Sequence, residues 1–178
     1  MTHLSKVLVD GGFPEEGVLT KNTTILLSDI RGFSDIAENY PATDVVQMLN
    51  RYFDCMGKII TAYGGRIDKL MGDSILVVFG IPEENPSDVE NAIACAIEMQ
   101  KAMTDLNISN QSLQMPELYM GIGINSGSVV VGDLGSSHYH EYTIIGDVVN
   151  LTSRIEAHCL RGQILISENT YKLCKKNC

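Results

Sequence analysis

The tightest constraint on this chain is the stretch Arg66-Ile67-Asp68-Lys69-Leu70-Met71-Gly72-Asp73-Ser74-Ile75-Leu76-Val77-Val78-Phe79. Two short apolar runs, the second rich in Val, Ile and Phe, flank Met-Gly-Asp-Ser, and that pattern predicts a β-hairpin with Asp73 at its tip. A carboxylate on a tight turn between strands is exposed and rigid enough to hold a metal ion in one place. Lys69 lies on the incoming strand. Upstream, Thr23-Thr24-Ile25-Leu26-Leu27-Ser28-Asp29-Ile30-Arg31-Gly32-Phe33-Ser34 is another β-type run that ends on an acid, Asp29. Two strands that each bring one carboxylate to one sheet edge form a site for hard divalent cations, which take oxygen ligands and leave room for phosphates.

The rest of the chain supplies a frame for that edge. Its 178 residues, 44% of them hydrophobic, suit one domain with a substantial core. Residues 1–21, with Gly, Pro and Glu clustered between Asp10 and Gly17, read as a lead-in or linker, and 22–178 as the folded domain. A strand is expected over Thr23–Asp29, then a short helix opened by Ser34 or Asp35 and ending near Pro41. A helix over Ala42–Tyr63, closed by Gly64-Gly65, leads into the hairpin. After it come a helix over Ser87–Asn107 and a loop over Ile108–Met115. Glu117–Val131, with Gly121, Gly123 and Gly127 inside it, reads as a strand, a turn and a second strand. Glu141–Ile145 gives a short strand, Asp147–Leu160 a helix, Gln163–Ile166 a strand, and a last short helix starts at Ser167. This order predicts an α+β fold: a ferredoxin-like βααββαβ core with added C-terminal strands and helices.

Charge and composition exclude several functions. A formal net charge of -9, from 22 acidic and 13 basic residues, argues against nucleic-acid binding, which draws on clustered Lys and Arg. Any anionic substrate must then be small and metal-bound. The longest apolar run, Ile75 to Ile81, is far short of a bilayer span, so this segment is expected to make no membrane contact. Five scattered cysteines suit free thiols in a reducing compartment, with the cytoplasm as the expected location.

Four local patterns then line up: Leu27-Ser28-Asp29-Ile30-Arg31-Gly32-Phe33-Ser34, Asp68-Lys69-Leu70-Met71-Gly72-Asp73, Gly121-Ile122-Gly123-Ile124-Asn125-Ser126-Gly127, and Tyr142-Thr143-Ile144-Ile145-Gly146-Asp147-Val148-Val149-Asn150-Leu151-Thr152-Ser153-Arg154. Together, over roughly Thr23 to Tyr171, they resemble the catalytic domain of class III adenylate and guanylate cyclases. The resemblance implies a head-to-tail homodimer with two shared sites. In each, Asp29, Asp73 and the Ile30 carbonyl of one chain would hold two Mg²⁺ or Mn²⁺ ions. Lys69 and Thr143 of the other would read the purine, while Asn150 and Arg154 would support ribose and phosphate. Gly32, Phe33 and Ser34 would offer the triphosphate backbone N–H groups at a helix start. An upstream sensor or transducer domain would set the dimer geometry.

The chemistry of these residue types agrees with that assignment. One ion would activate the ribose 3′-hydroxyl for in-line attack on the α-phosphate, and the second would neutralise the leaving pyrophosphate. Arg154 carries a permanent charge on a planar fork, and Asn150 lies one helical turn away from it. A lysine donates to N1 of adenine, whereas guanine carries a proton there and calls for an acceptor, so Lys69 favours ATP over GTP. Thr143 stands where many animal adenylate cyclases have aspartate, and its hydroxyl still accepts from the adenine amino group. Ser136-Ser137-His138-Tyr139 lacks the Lys or Arg that the family often places there. The chain also stops at Cys178, before the family's last hairpin with its phosphate-binding lysine, and is expected to be a truncated catalytic domain. The expected activity is conversion of ATP to 3′,5′-cyclic AMP and pyrophosphate. A guanylate cyclase and a non-catalytic nucleotide-binding or dimerising module are the alternatives.

Overall fold

Strand β1 (Leu19–Ile30) is the spine of the molecule: β3 (Ser74–Phe79) pairs antiparallel along one edge and β4 (Met120–Ser136) along the other. The structure is a computed structural model and describes residues 18–176, the side chain of His140 excepted. Between and after these strands lie α1 (Phe33–Asn39), α2 (Ala42–Ala62), β2 (Arg66–Met71), α3 (Asp88–Ser112), β5 (Tyr139–Ile145), α4 (Asp147–Ala157), β6 (Ile164–Ile166) and α5 (Glu168–Lys176). The sheet order is β2-β3-β1-β4-β5, with β6 parallel to the first half of β4. The α+β, ferredoxin-like architecture expected from the element order is therefore present, extended at one edge by β5 and β6.

Both faces of β1 are covered, which explains its unbroken apolar run. Leu26 and Ile30 point to one core with Met48, Tyr52 and Ile60 of α2 and Met99 of α3. Ile25 and Leu27 point to a second core with Leu76, Val78, Val131 and Ile144, against which Tyr142 and Val148 pack. Helix α2 stops as its glycines predict. Gly64 N–H bonds Thr61 O at 3.1 Å and Gly65 N–H bonds Ile60 O at 2.9 Å, the paired bonds of a Schellman end.

Three expectations need correction. Glu117–Val131 contains no turn, because β4 runs without a break from Met120 to Ser136. Its glycines serve close packing. A Cβ at Gly123 would stand 2.6 Å from the backbone N of Glu156 in α4, and one at Gly127 would stand 2.7 Å from Val148. The loop expected over Ile108–Met115 is helical as far as Ser112. There Asn110 is buried and accepts from Arg51 at 3.4 Å, so tertiary contacts override a weakly helical sequence. Strand β1 starts at Leu19, earlier than Thr23, because Lys21 and Asn22 extend the ladder opposite Val129 and Ser128. Residues 1–17 of the expected lead-in lie outside the described residues.

Gly123→Ala should lower the stability of the domain by about 3 kcal/mol, because the methyl group meets helix backbone with no flexible side chain to yield. Urea unfolding measures this. An unchanged midpoint would contradict the packing of α4 on β4.

Candidate active site

Asp29, next to last in β1, and Asp73, in the β2–β3 turn, meet at one end of the sheet. Gly72, with φ 62°, makes the first half of a two-residue hairpin turn and leaves Asp73 at its tip. The Ile30 N–H donates to Asp73 Oδ2 at 2.9 Å, and Ser74 Oγ donates to Asp29 Oδ1 at 2.8 Å. Each acid is thus tied to the strand that carries the other. Burial pushes the Asp73 carboxyl up to about 6; the hydrogen bond and negative charge of Asp29 add to the rise, and the Ile30 N–H opposes it. A cation arriving at such a pair favours its deprotonated form. Among the described residues no third His, Cys, Asp or Glu joins it. The donor set is two carboxylates with open positions around them, which fits an Mg²⁺-like ion that keeps water and phosphate ligands. Ile30 has only its backbone to offer, since its side chain lies in the core.

Beyond Asp29 the chain turns through Gly32, in the left-handed region, into α1. Phe33 packs against the first core and Ser34 is exposed. The first-turn N–H groups have no acceptor within the helix.

Lys69 and Thr143 come together within one chain. β2 and β5 stand at opposite ends of the sheet path, yet Lys69 Nζ donates to Thr143 Oγ1 at 2.9 Å and to Glu141 Oε1 at 3.0 Å, so the sheet is strongly curled. The ladder slips between Ile67 and Lys69, and this bulge brings Asp68 and Lys69 onto the same concave face. Simple alternation would have put them on opposite faces.

Asn150 and Arg154 are exposed on successive turns of α4, whose other side is buried through Thr152 and Glu156. Among the described residues no hydrogen bond or ion pair joins them to Asp29 or Asp73. Nor, among the described residues, does a hydrogen bond or ion pair link the acid pair to Lys69 and Thr143.

Four residues escaped the sequence reading. Glu141 carried a legible signal, because it lies two positions before Thr143 on a strand and so shares its face. Asp68 carried none, since its placement depends on the bulge. Arg31 ion-pairs with Glu156 and donates from Nη2 to the Glu156 carbonyl at 3.2 Å, fastening the turn after Asp29 to α4. Such a pair, from opposite ends of the chain, leaves no local trace.

The adenylate and guanylate cyclase catalytic domain family matches residues 18–178, and the chain belongs to that family. An adenylate cyclase of Anabaena cylindrica is 39% identical over 142 residues, 77% of this chain but 27% of its own length. Adenylate cyclase 1 of Rhizobium meliloti is 30% identical over 85% of this chain and 23% of its own length, so the chain spans about a quarter of either relative. Among solved structures, the guanylyl cyclase Cya2 is 45% identical with a TM-score of 0.85, covering 89% of this chain and 80% of its own. The adenylyl cyclase CyaB from P. aeruginosa is 38% identical with a TM-score of 0.87, covering 90% and 84%. No helix among the described residues is long and apolar enough to cross a membrane.

Proposed function

We propose that this domain is an adenylate cyclase that converts ATP to 3′,5′-cyclic AMP and pyrophosphate in sites shared by two copies of the chain. The observation that carries the reading is the pair Asp29 and Asp73, cross-tied by Ile30 and Ser74, with the Asp73 carboxyl raised first by burial and then by its neighbour Asp29. Asp29, Asp73 and the Ile30 carbonyl would hold two Mg²⁺ or Mn²⁺ ions. When bound, such ions supply Lewis acidity toward the ribose 3′-hydroxyl and countercharge for the pyrophosphate. The amides of Gly32, Phe33 and Ser34 orient the β- and γ-phosphates. Lys69 donates to adenine N1, and Thr143 accepts from the exocyclic amine. Asn150 positions the ribose, and Arg154 meets charge growing on the α-phosphate. Because no hydrogen bond or ion pair among the described residues joins the acid pair to the purine-reading pair inside one chain, a complete site takes one group from each of two copies. An upstream sensor domain in a longer, cytoplasmic protein would act by rotating the copies.

The test uses the full chain with Mn²⁺ and ATP. Cyclic AMP should form, Asp29→Ala and Lys69→Ala should each abolish it, and mixing the two variants should restore part of it, because a mixed dimer keeps one intact site. A wild-type chain that makes no cyclic AMP, or a mixture that stays silent, would sink the reading. GTP is the second candidate substrate, favoured by the 45% identity to a guanylyl cyclase; direct competition between ATP and GTP decides it.

A further inference from the structure

A guanidinium carries its N–H donors in a rigid fork, so the groups that accept from it show what it holds together. Arg31 lies one residue beyond Ile30, and its backbone N–H donates to the Tyr119 carbonyl at 2.7 Å. Its side chain crosses to the last turn of α4, where both the carboxylate and the carbonyl of Glu156 engage it. It runs so close to β4 that a Cβ at Gly121 would stand 2.7 Å from Nη2 and 2.8 Å from Nε. Nε is buried with no hydrogen-bond acceptor. A second carboxylate, Asp29, lies within ion-pair range, with Oδ2 3.9 Å from Nη2. The guanidinium is thus shared unequally between a proposed metal ligand and α4. The end of that helix is otherwise fixed to the sheet, since the Cys159 thiol donates to the Ile122 carbonyl at 3.1 Å. Arg154 and Glu156 are two residues apart and point to opposite sides of α4, so Asn150 and Arg154 occupy its exposed face.

We propose that Glu156 is a positioning residue that, through Arg31, couples the two active sites of the dimer so that filling one improves the other. The inference rests on the cyclase reading and goes beyond it. Among the described residues Asn150 and Arg154 make no hydrogen bond or ion pair to the acids of their own chain, so they serve the site whose acids come from the other copy. One helix then stands between two sites. Its buried face is fastened to the acid edge of its own copy, and its exposed face works at the other site. The sign of the coupling follows from charge. While Asp29 is free of cations it competes with Glu156 for Arg31. Once engaged as a metal ligand it no longer competes, and the guanidinium bonds Glu156 alone. The last turn of α4 is then held more firmly, and Asn150 and Arg154 are better placed for nucleotide in the other site. By linkage, nucleotide there strengthens cation binding here by the same factor.

The experiment measures binding without turnover, by calorimetry on the full chain with Mn²⁺ and an ATP analogue whose α- and β-phosphorus atoms are joined by a methylene group. The wild type should bind with a Hill coefficient of about 1.5, which corresponds to a second site about tenfold tighter than the first, a coupling of ordinary size. Arg31→Met with Glu156→Leu, checked for folding by thermal melts, should bind with a Hill coefficient of about 1. Glu156→Gln, which keeps the volume but drops the charge, should fall to the same value, and Arg31→Lys, which keeps the charge, should lie between. Cyclic AMP formation against Mn²⁺–ATP should be sigmoidal in the wild type and hyperbolic in the double variant. A wild type that binds without cooperativity, or variants as cooperative as the wild type, overturns the inference and leaves the cyclase reading standing. A wild type that makes no cyclic nucleotide from ATP or GTP overturns the cyclase reading instead, and loss of cooperative binding in the variants then still upholds the coupling.

Discussion

Asp73→Asn should cut cyclic nucleotide formation by about a thousandfold, while raising the melting temperature of the metal-free chain by about 2 °C. The two effects share one cause. Asparagine keeps an oxygen for the Ile30 N–H, now at 2.9 Å, but removes one of two charges that repel each other. The metal-free fold relaxes, and the cation loses a ligand. The pH dependence has a definite sign. The folded state holds the Asp73 proton up to about 6, above the ordinary aspartate value of 3.8, so the stability it contributes is present below about 4 and is lost as pH rises through 6. Stabilisation by added Mg²⁺ should run the opposite way, growing above pH 6, and should be much weaker in the variant. Melting curves with and without Mg²⁺ between pH 5 and 8 measure both slopes. A variant that keeps its activity, or melts lower without metal, would contradict the assignment.

Glu156→Ala should destabilise the domain by about 3 kcal/mol, as expected when one partner of a buried ion pair is removed and the other stays. Arg31 is 20% exposed and Glu156 8%, so little water compensates the guanidinium left behind. Its nearest remaining carboxylate is Asp29, 3.9 Å away. Drawn toward Asp29, the proposed metal ligand, Arg31 should also raise the Mn²⁺ concentration needed for half-maximal activity. Replacing both partners, with Arg31→Met and Glu156→Leu, should recover most of the stability, since no charge is then stranded. Urea unfolding of the single and double variants, with a metal titration of each, tests this. Additive losses in the double variant would show that the two side chains do not act as a pair.

Most of the frame was legible because its signals are local. The 3.6-residue period of α2, the glycines that end it, the turn at Gly72-Asp73 and the apolar run of β3 each depend on neighbours a few positions away. The acids at Asp29 and Asp73 were legible for the same reason, each lying where a strand gives way to a turn. Glycines in β4 misled, because a gap for a packed helix and a bend in the chain use the same residue. Only the position of α4 against Gly123 distinguishes them.

The sequence by itself determined which elements form, in what order, and which strand ends carry the acids, because backbone sterics and hydrophobic spacing act over a few residues. The tertiary structure alone decided which side chains share a face or a charge. A bulge turned Asp68 beside Lys69, a curled sheet brought both to Glu141, and the packing of α4 delivered Glu156 to Arg31. Electrostatic and hydrogen-bond energies depend on distance in space, and the chain separation of these partners, from one to more than a hundred positions, carries no record of it.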